Sequence, residues 1–350
     1  MSRAQQTSTV EQNTGGAVAP FVAGKNKIIN GDLTINQRAF TSNTASGAFN
    51  FDRFFQLNGG SSGTLTVTPQ TFTAGTAPVA GYEATNFIRC ITAAGVNTNT
   101  YALLEQKIED VRTFAGQTVT ASFWAKAGSG TPNISIELEQ SFGSGGSASI
   151  FTSVTKTAIT TSWARYTFTV AVPSISGKTI GTGNSLILSI WLSAGSDFNT
   201  RSNTTGLQNN TFDIWGVQIE AGSVATAFQT ASGTLQGELA LCQRYYQRLG
   251  ANGNNMLYPG FNNSTTELYT GIPLKVTMRT NPTITLPTVS SNFYVRVAGG
   301  SNVAVSAYSV IGTNYDNVWL SFTSSGLTSG QGSGLVNQGS STYMEFSAEL

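Results

Sequence analysis

Residues 133–142, NISIELEQSF, set Ile134, Ile136 and Leu138 on one side of an extended chain and Ser135, Glu137 and Glu139 on the other. Side chains alternate across a strand with a period of two, so such a run buries one face of a sheet and keeps the other polar. Similar β-branched or alternating runs are TLTVTP (64–69), QTVTASFWAKA (117–127), ARYTFTVAV (164–172), SLILSIWLS (185–193) and TFDIWGVQIE (211–220). Gly, Ser and Asn turns separate them. This series has no helices between its strands, so residues 26–230 are expected to form an all-β jelly-roll or β-sandwich. YALLEQKIEDVRTF (101–114) allows either one short helical turn or a strand followed by a loop.

Residues 251–350 read as a second β-region, a C-terminal domain expected to be β-sandwich-like. Its runs are TELYTGIPLKVTM (266–278), PTITLP (282–287), NFYVRVAG (292–299), NVAVSAYSVIG (302–312), DNVWLSFTS (316–324) and STYMEFSAEL (341–350). Pro282 and Pro287 bracket a strand that belongs at a sheet edge, because proline cannot donate to a ladder. The glycine-rich stretch 324–341 suits a mobile tip or a bundle crossing.

Between the two β-regions lies GELALCQRYYQRL (237–249), dense in helix formers. Apolar residues recur there as Leu235, Leu239, Cys242, Tyr246 and Leu249, in steps of four and three. That spacing is the a/d seam of a coiled coil held for two heptads. The competing reading is a helix lying on its own domain, for which Leu241 and Tyr245 widen the apolar stripe. Residues 231–250 are therefore expected to be a short coiled-coil helix clamping identical chains.

Composition removes several kinds of chemistry. The chain has no histidine, which excludes Ser-His-Asp and Cys-His catalysis and His-ligated metals. Its two cysteines, Cys90 and Cys242, lie far apart in no metal-binding spacing and read as small buried hydrophobes. A formal net charge of +1 offers no electrostatic footprint for nucleic acid or an anionic membrane. No apolar run is long enough for membrane insertion. The N-terminus lacks the apolar centre of a signal peptide, which points to synthesis in a cytoplasm. GSGGSASI lacks the lysine of a phosphate-binding loop and reads as a hairpin turn.

Carboxylates can hydrolyse glycosides without histidine, and Glu137 and Glu139 share one strand face at a suitable spacing. The plainer reading is a solvated strand face. Trp124, Trp163, Trp191 and Trp215 sit in alternating strands beside apolar neighbours and are expected in the core, although exposed tryptophans can stack on sugars. Tyr258, Tyr269, Tyr315 and Trp319 are the better candidates for a receptor-binding surface. No catalytic residue, cofactor or metal site is expected.

Six segments occur in a telling order: NKIINGDLTINQRAF (26–40), FDRFF (51–55), GQTVTASFWAKAG (116–128), SWARYTFTVAVPSISGKTIG (162–181), IWGVQIEAGSVATAFQT (214–230) and ELALCQRYYQRL (238–249). Together they resemble phage tail-fibre and related virion proteins whose body is a carbohydrate-binding-module-like jelly roll. TMRTNPTITL (277–286) resembles the start of a C-terminal domain often attached to that family. The resemblance implies a homotrimeric virion fibre, on tail or capsid, that recognises a glycan or protein of the host surface. Residues 1–25 would then be an anchoring arm on another virion protein, with Val18, Pro20, Phe21 and Val22 as its apolar patch; a loose terminus is the alternative. A carboxylate-based glycan depolymerase and a capsid decoration protein without a receptor role are the rival functions. Modules of this fold often hold calcium through an acid after the opening turn and one in the last strand. Here Thr34 replaces the first, and Asp213 keeps the second.

Overall fold

The computed structural model describes residues 22–61, 63–250, 256–337 and 343–350. The described chain divides into two compact units, the first running from residue 22 to 36 and from 40 to 238, the second taking residues 37–39 and the chain from 239 onward.

The first unit carries ten strands: β1 (Phe55–Gly59), β2 (Thr64–Thr71), β3 (Asn86–Ala93), β4 (Tyr101–Glu109), β5 (Thr118–Ala127), β6 (Asn133–Ser141), β7 (Ile150–Ala158), β8 (Ala164–Ala171), β9 (Ser185–Ala194) and β10 (Asn210–Ala221). They form two five-stranded antiparallel sheets, ordered β1-β4-β9-β6-β7 and β2-β3-β10-β5-β8. The chain repeatedly crosses from one sheet to the other, so strands distant in sequence become neighbours. Ile134, Ile136, Leu138, Leu186, Leu188 and Ile190 share one apolar core with Leu65, Val67, Ile88, Cys90, Phe123 and Ile214. The segment 101–114 is settled as strand β4 followed by a turn.

The central strands of neither sheet present a plain solvent face. Every residue of β9 is buried, because the core lies on one side and residues 196–205 cover much of the other. In the second sheet, Trp124 and Trp215 meet at 5.3 Å, and Phe72, Tyr82 and Phe228 surround Trp215 at 4.9 to 6.3 Å. The N-terminal segment covers this cluster: Lys27 N–H donates to the Ile219 carbonyl, Val217 N–H to Gly31, and the Trp215 indole to the Asp32 carbonyl at 3.2 Å. A register shift between Trp215 and Gln218 bends β10 there. Gly216 has φ +67°, and a Cβ at that position would stand 2.8 Å from the Trp124 ring. Only glycine meets both demands.

The second unit holds β11 (Tyr246–Gly250), β12 (Met256–Asn262), β13 (Glu267–Pro273), β14 (Thr283–Thr285), β15 (Phe293–Arg296), β16 (Asn302–Thr313), β17 (Asn317–Ser324), β18 (Gly332–Asn337) and β19 (Tyr343–Ser347). Six strands close a barrel in the order β12-β13-β17-β16-β15-β18, and β11-β19-β14 form a small sheet. The expected sandwich is thus a barrel, which removes sheet edges by closure. Leu268, Ile272, Phe293, Val295, Leu320, Phe322 and Leu335 belong to its core. The glycine-rich stretch that suggested a mobile tip supplies β18, with Leu335 fully buried. β14, between its prolines, is the edge strand anticipated from them.

The coiled-coil expectation is corrected. Helix α1 (Leu235–Gln243) spans nine residues rather than 231–250, and Thr234 Oγ caps the Gly237 N–H at 3.0 Å. Tyr246 and Leu249 lie on β11, opposite Ser347 and Met344 of β19. Cys242, Tyr246 and Leu249 are buried within a single chain, Leu239 is partly exposed, and Leu235 is 65% exposed. A seam needs one continuous helix. Here the β-favouring Tyr245–Tyr246 pair enters a ladder with the C-terminal strand instead. Glu238, the one acid of the helix, is buried and accepts from the Asn30 and Ser232 N–H groups.

Candidate functional site

The outer face of the β1-β4-β9-β6-β7 sheet combines buried charge with exposed aromatic surface. Strand register sets Phe55, Glu105, Ser189, Glu137 and Ser153 in one row across all five strands. The next row holds Lys107, Ile187, Glu139 and Phe151. On the other side lie Leu57, Leu103, Trp191 and Ser135.

Residues 196–205 cover that last row. Phe198 packs on Tyr101 and Trp191 at 4.9 and 5.6 Å, and the Ser135 hydroxyl donates to the Ser202 carbonyl at 2.6 Å. Arg201 reaches into the centre, where its Nε and Nη2 donate to both Glu137 oxygens at 2.5 to 3.1 Å. Its guanidinium lies 4.1 Å from the Phe151 ring centre and 5.4 Å from that of Trp191. Glu137 is fully buried, and desolvation raises its pKa against the opposing pull of Arg201. Glu137 and Glu139 do share a face, as their spacing implies. The structure gives Glu137 an ion pair beneath a loop rather than the solvated position or the substrate-facing role considered for it.

Among the described residues Glu105 has no such partner. It is 5% exposed and accepts from the Ser189 hydroxyl at 2.6 Å. Burial is the main reason its pKa is pushed up to about 7, with Glu139 adding to the rise and Lys107 and Arg201 opposing it. The folded chain therefore retains a proton between pH 4.5 and 7 that the unfolded chain releases. Stability attributable to this group falls as pH rises through that window, in total by about 3 kcal/mol. Glu105→Gln keeps an acceptor for Ser189 and removes the titration. Urea unfolding should find the variant equal to the parent near pH 4 and more stable by about 3 kcal/mol at pH 8.

The open part of this face presents Lys107, Glu139 and the 45%-exposed ring of Phe151. Such a mixture can donate and accept hydrogen bonds and stack on an apolar ring face.

The second unit places three of the four aromatic receptor candidates outside its barrel and turns the fourth, Tyr258, toward the core. Trp319 and Tyr315 are 44% and 53% exposed, and Tyr269 is partly exposed beside Phe261 at 5.8 Å. Tyr258 is partly buried, with its ring packed against the barrel core. Its strand parity, opposite to that of Phe261, turns it inward. Of the proposed anchoring residues, Val18, Pro20 and Phe21 lie outside the described residues. Val22 is 50% exposed, with its backbone held by Gln229.

The donor set does not fit calcium. Asp213 pairs with Arg89 through two bonds of 2.7 and 2.8 Å and with Lys126 at 3.5 Å. Thr34 donates its hydroxyl to Asp32, whose other oxygen accepts from Tyr82. A cavity of about 260 Å³ lies beside Asp32 and Glu238, and both carboxylates already accept protein N–H or O–H groups. Among the described residues no group of three metal-ligating side chains converges.

The first unit is a β-sandwich of two five-stranded antiparallel sheets. Residues 68–183 match the family described as Carbohydrate binding domain. Among solved structures, the CBM22-1 xylan-binding domain of Xyn10C from Paenibacillus barcinonensis is 13% identical, covering 59% of this chain and all of that one, with a TM-score of 0.33. A CBM4 structure is 19% identical over 55% of this chain and 98% of its own, with a TM-score of 0.32. The enzymatically active domain of tailspike protein 4 from Bacteriophage CBA120 is 15% identical over 57% of this chain, with a TM-score of 0.34, and only 22% of that chain is covered. No curated protein matches.

Proposed function

We propose that this chain is a non-enzymatic virion fibre, on tail or capsid, that binds a host-surface glycan or protein through its C-terminal unit. It would act as a homotrimer and attach to another virion protein by residues 1–25. The carrying observation is a carbohydrate-binding domain match within the first β-unit, joined to a second β-unit whose outside bears large exposed aromatics. The ordered motifs from NKIINGDLTINQRAF to ELALCQRYYQRL support the virion context. Low charge and a Ser/Thr/Gly/Asn-rich composition suit a protein that works in open water.

The burial of Cys242, Tyr246 and Leu249 within one chain means that trimer contacts must come from other surfaces. The purified full-length chain should sediment at the mass of three chains and block adsorption of particles to host cells. It should release no oligosaccharide from host capsule or lipopolysaccharide. Release of oligosaccharide would replace this reading with the depolymerase; undiminished adsorption would favour a decoration protein.

A further inference from the structure

We propose that the outer barrel face around Trp319 is a binding site for a neutral, pyranose-containing glycan. Trp319 and Tyr269 would be its stacking surfaces and Asn317 its hydrogen-bond acceptor. The proposal rests on the host-recognition reading above and gives it a ligand class and a place.

Barrel strands alternate between the interior and the outside. Interior positions on β13 and β17 are taken by Leu268, Ile272, Val318, Leu320 and Phe322, all fully buried. Outside positions on the same strands include Tyr269 and Gly271 on β13 and Asn317, Trp319 and Ser321 on β17. Trp319 lies between two glycines in its row, opposite Gly271 on β13 and Gly312 on β16. A Cβ on Gly271 would stand 3.6 Å from the indole, so the ring leans over that glycine. On the other flank, nothing lies within 4 Å of a Cβ placed on Gly312. The result is an open strip beside an indole that is 44% exposed. Val310 and Ile311, 47% and 46% exposed, border it on β16.

Two further observations narrow the ligand. Asn317 Oδ1 is buried from solvent yet accepts no hydrogen bond, and it lies 3.7 Å from the same Gly271 position that the indole covers. A buried acceptor without a donor costs free energy, and a ligand hydroxyl would supply that donor once the indole swings off Gly271. The face also carries little charge: on β13 and β17 the one charged side chain is Glu267, at the far end of its strand. The strands themselves offer no cation to a phosphate or uronate, and exposed Lys275 and Asp316 just beyond their near end oppose one another in sign. Apolar ring faces of a sugar pack on indole and phenol while its hydroxyls seek acceptors. An aromatic wall, an open strip and an orphan acceptor match that chemistry.

The test uses the full-length chain on an array of neutral hexose and hexosamine oligosaccharides printed beside sialylated and uronate-containing ones, together with particle adsorption. Binding should fall on neutral spots and weaken about tenfold or more in Trp319→Ala. Trp319→Phe should retain part of it, and Asn317→Ala should weaken it by a smaller factor. Near-ultraviolet circular dichroism checks that each variant is folded. Neutral binding unchanged in Trp319→Ala but lost in Phe151→Ala would overturn the site and leave the host-recognition reading standing. Preference for the acidic spots would overturn the ligand class. A changed sedimentation mass in Trp319→Ala, with glycan binding intact, would assign the face to contacts between copies. A chain that blocks adsorption yet binds no spot overturns this inference alone; one that does neither overturns both.

Discussion

Trp215→Ala is expected to lower stability by about 4 kcal/mol, a large share of what a domain of this size possesses. The indole is fully buried, touches Phe72, Tyr82, Trp124 and Phe228, and donates to the Asp32 carbonyl. Truncation forfeits those contacts, leaves a cavity under the N-terminal segment and deprives a carbonyl of its donor. Trp215→Phe should recover a large part of the loss, because the ring contacts return while the N–H does not. Urea unfolding followed by circular dichroism measures both. A loss below about 1 kcal/mol would show that the N-terminal segment does not depend on this cluster.

Arg201→Ala should be the second large effect, about 3 kcal/mol at pH 8. Glu137 is fully buried and depends on Arg201 for both of its carboxylate oxygens. Removing the cation leaves a buried carboxylate uncompensated, the costly way to break such a pair. The remaining exposure of Arg201, 34% of its side chain, keeps the figure at the low end through solvent screening. The loss should shrink as pH falls, because Glu137, its pKa already raised by burial, then takes up a proton. Adding Glu137→Gln to Arg201→Ala should restore much of the stability at pH 8. A penalty independent of pH would assign the effect to lost packing on Phe151 and Trp191 instead of charge.

The alternation of Ile134, Ile136 and Leu138 was enough to read β6, because a period of two allows one interpretation. The same logic served the edge strand between Pro282 and Pro287. It failed at α1, where the four-three spacing of Leu235 to Leu249 continued past the end of the helix. Periodicity does not reveal a competing partner strand a hundred residues away, and β19 supplied one. The Glu137–Glu139 spacing was legible too, but the guanidinium opposite it arrives from a loop 64 residues later in the chain. Tyr258 and Tyr269 look equivalent in sequence. Strand parity within a closed barrel turns one toward the core and the other outside.

Local sequence thus determined that this chain is all-β, where most of its strands lie and which side chains fill the first core. Those properties follow from alternation and turn chemistry, which act over a few residues. Tertiary structure alone decided that the second unit closes as a barrel, that Glu105 is left to titrate near neutrality, and that Trp319 stands beside glycines with an orphan acceptor nearby. Each of these depends on which distant strands become neighbours. That choice is made by the burial of whole faces, beyond the reach of any single run of residues.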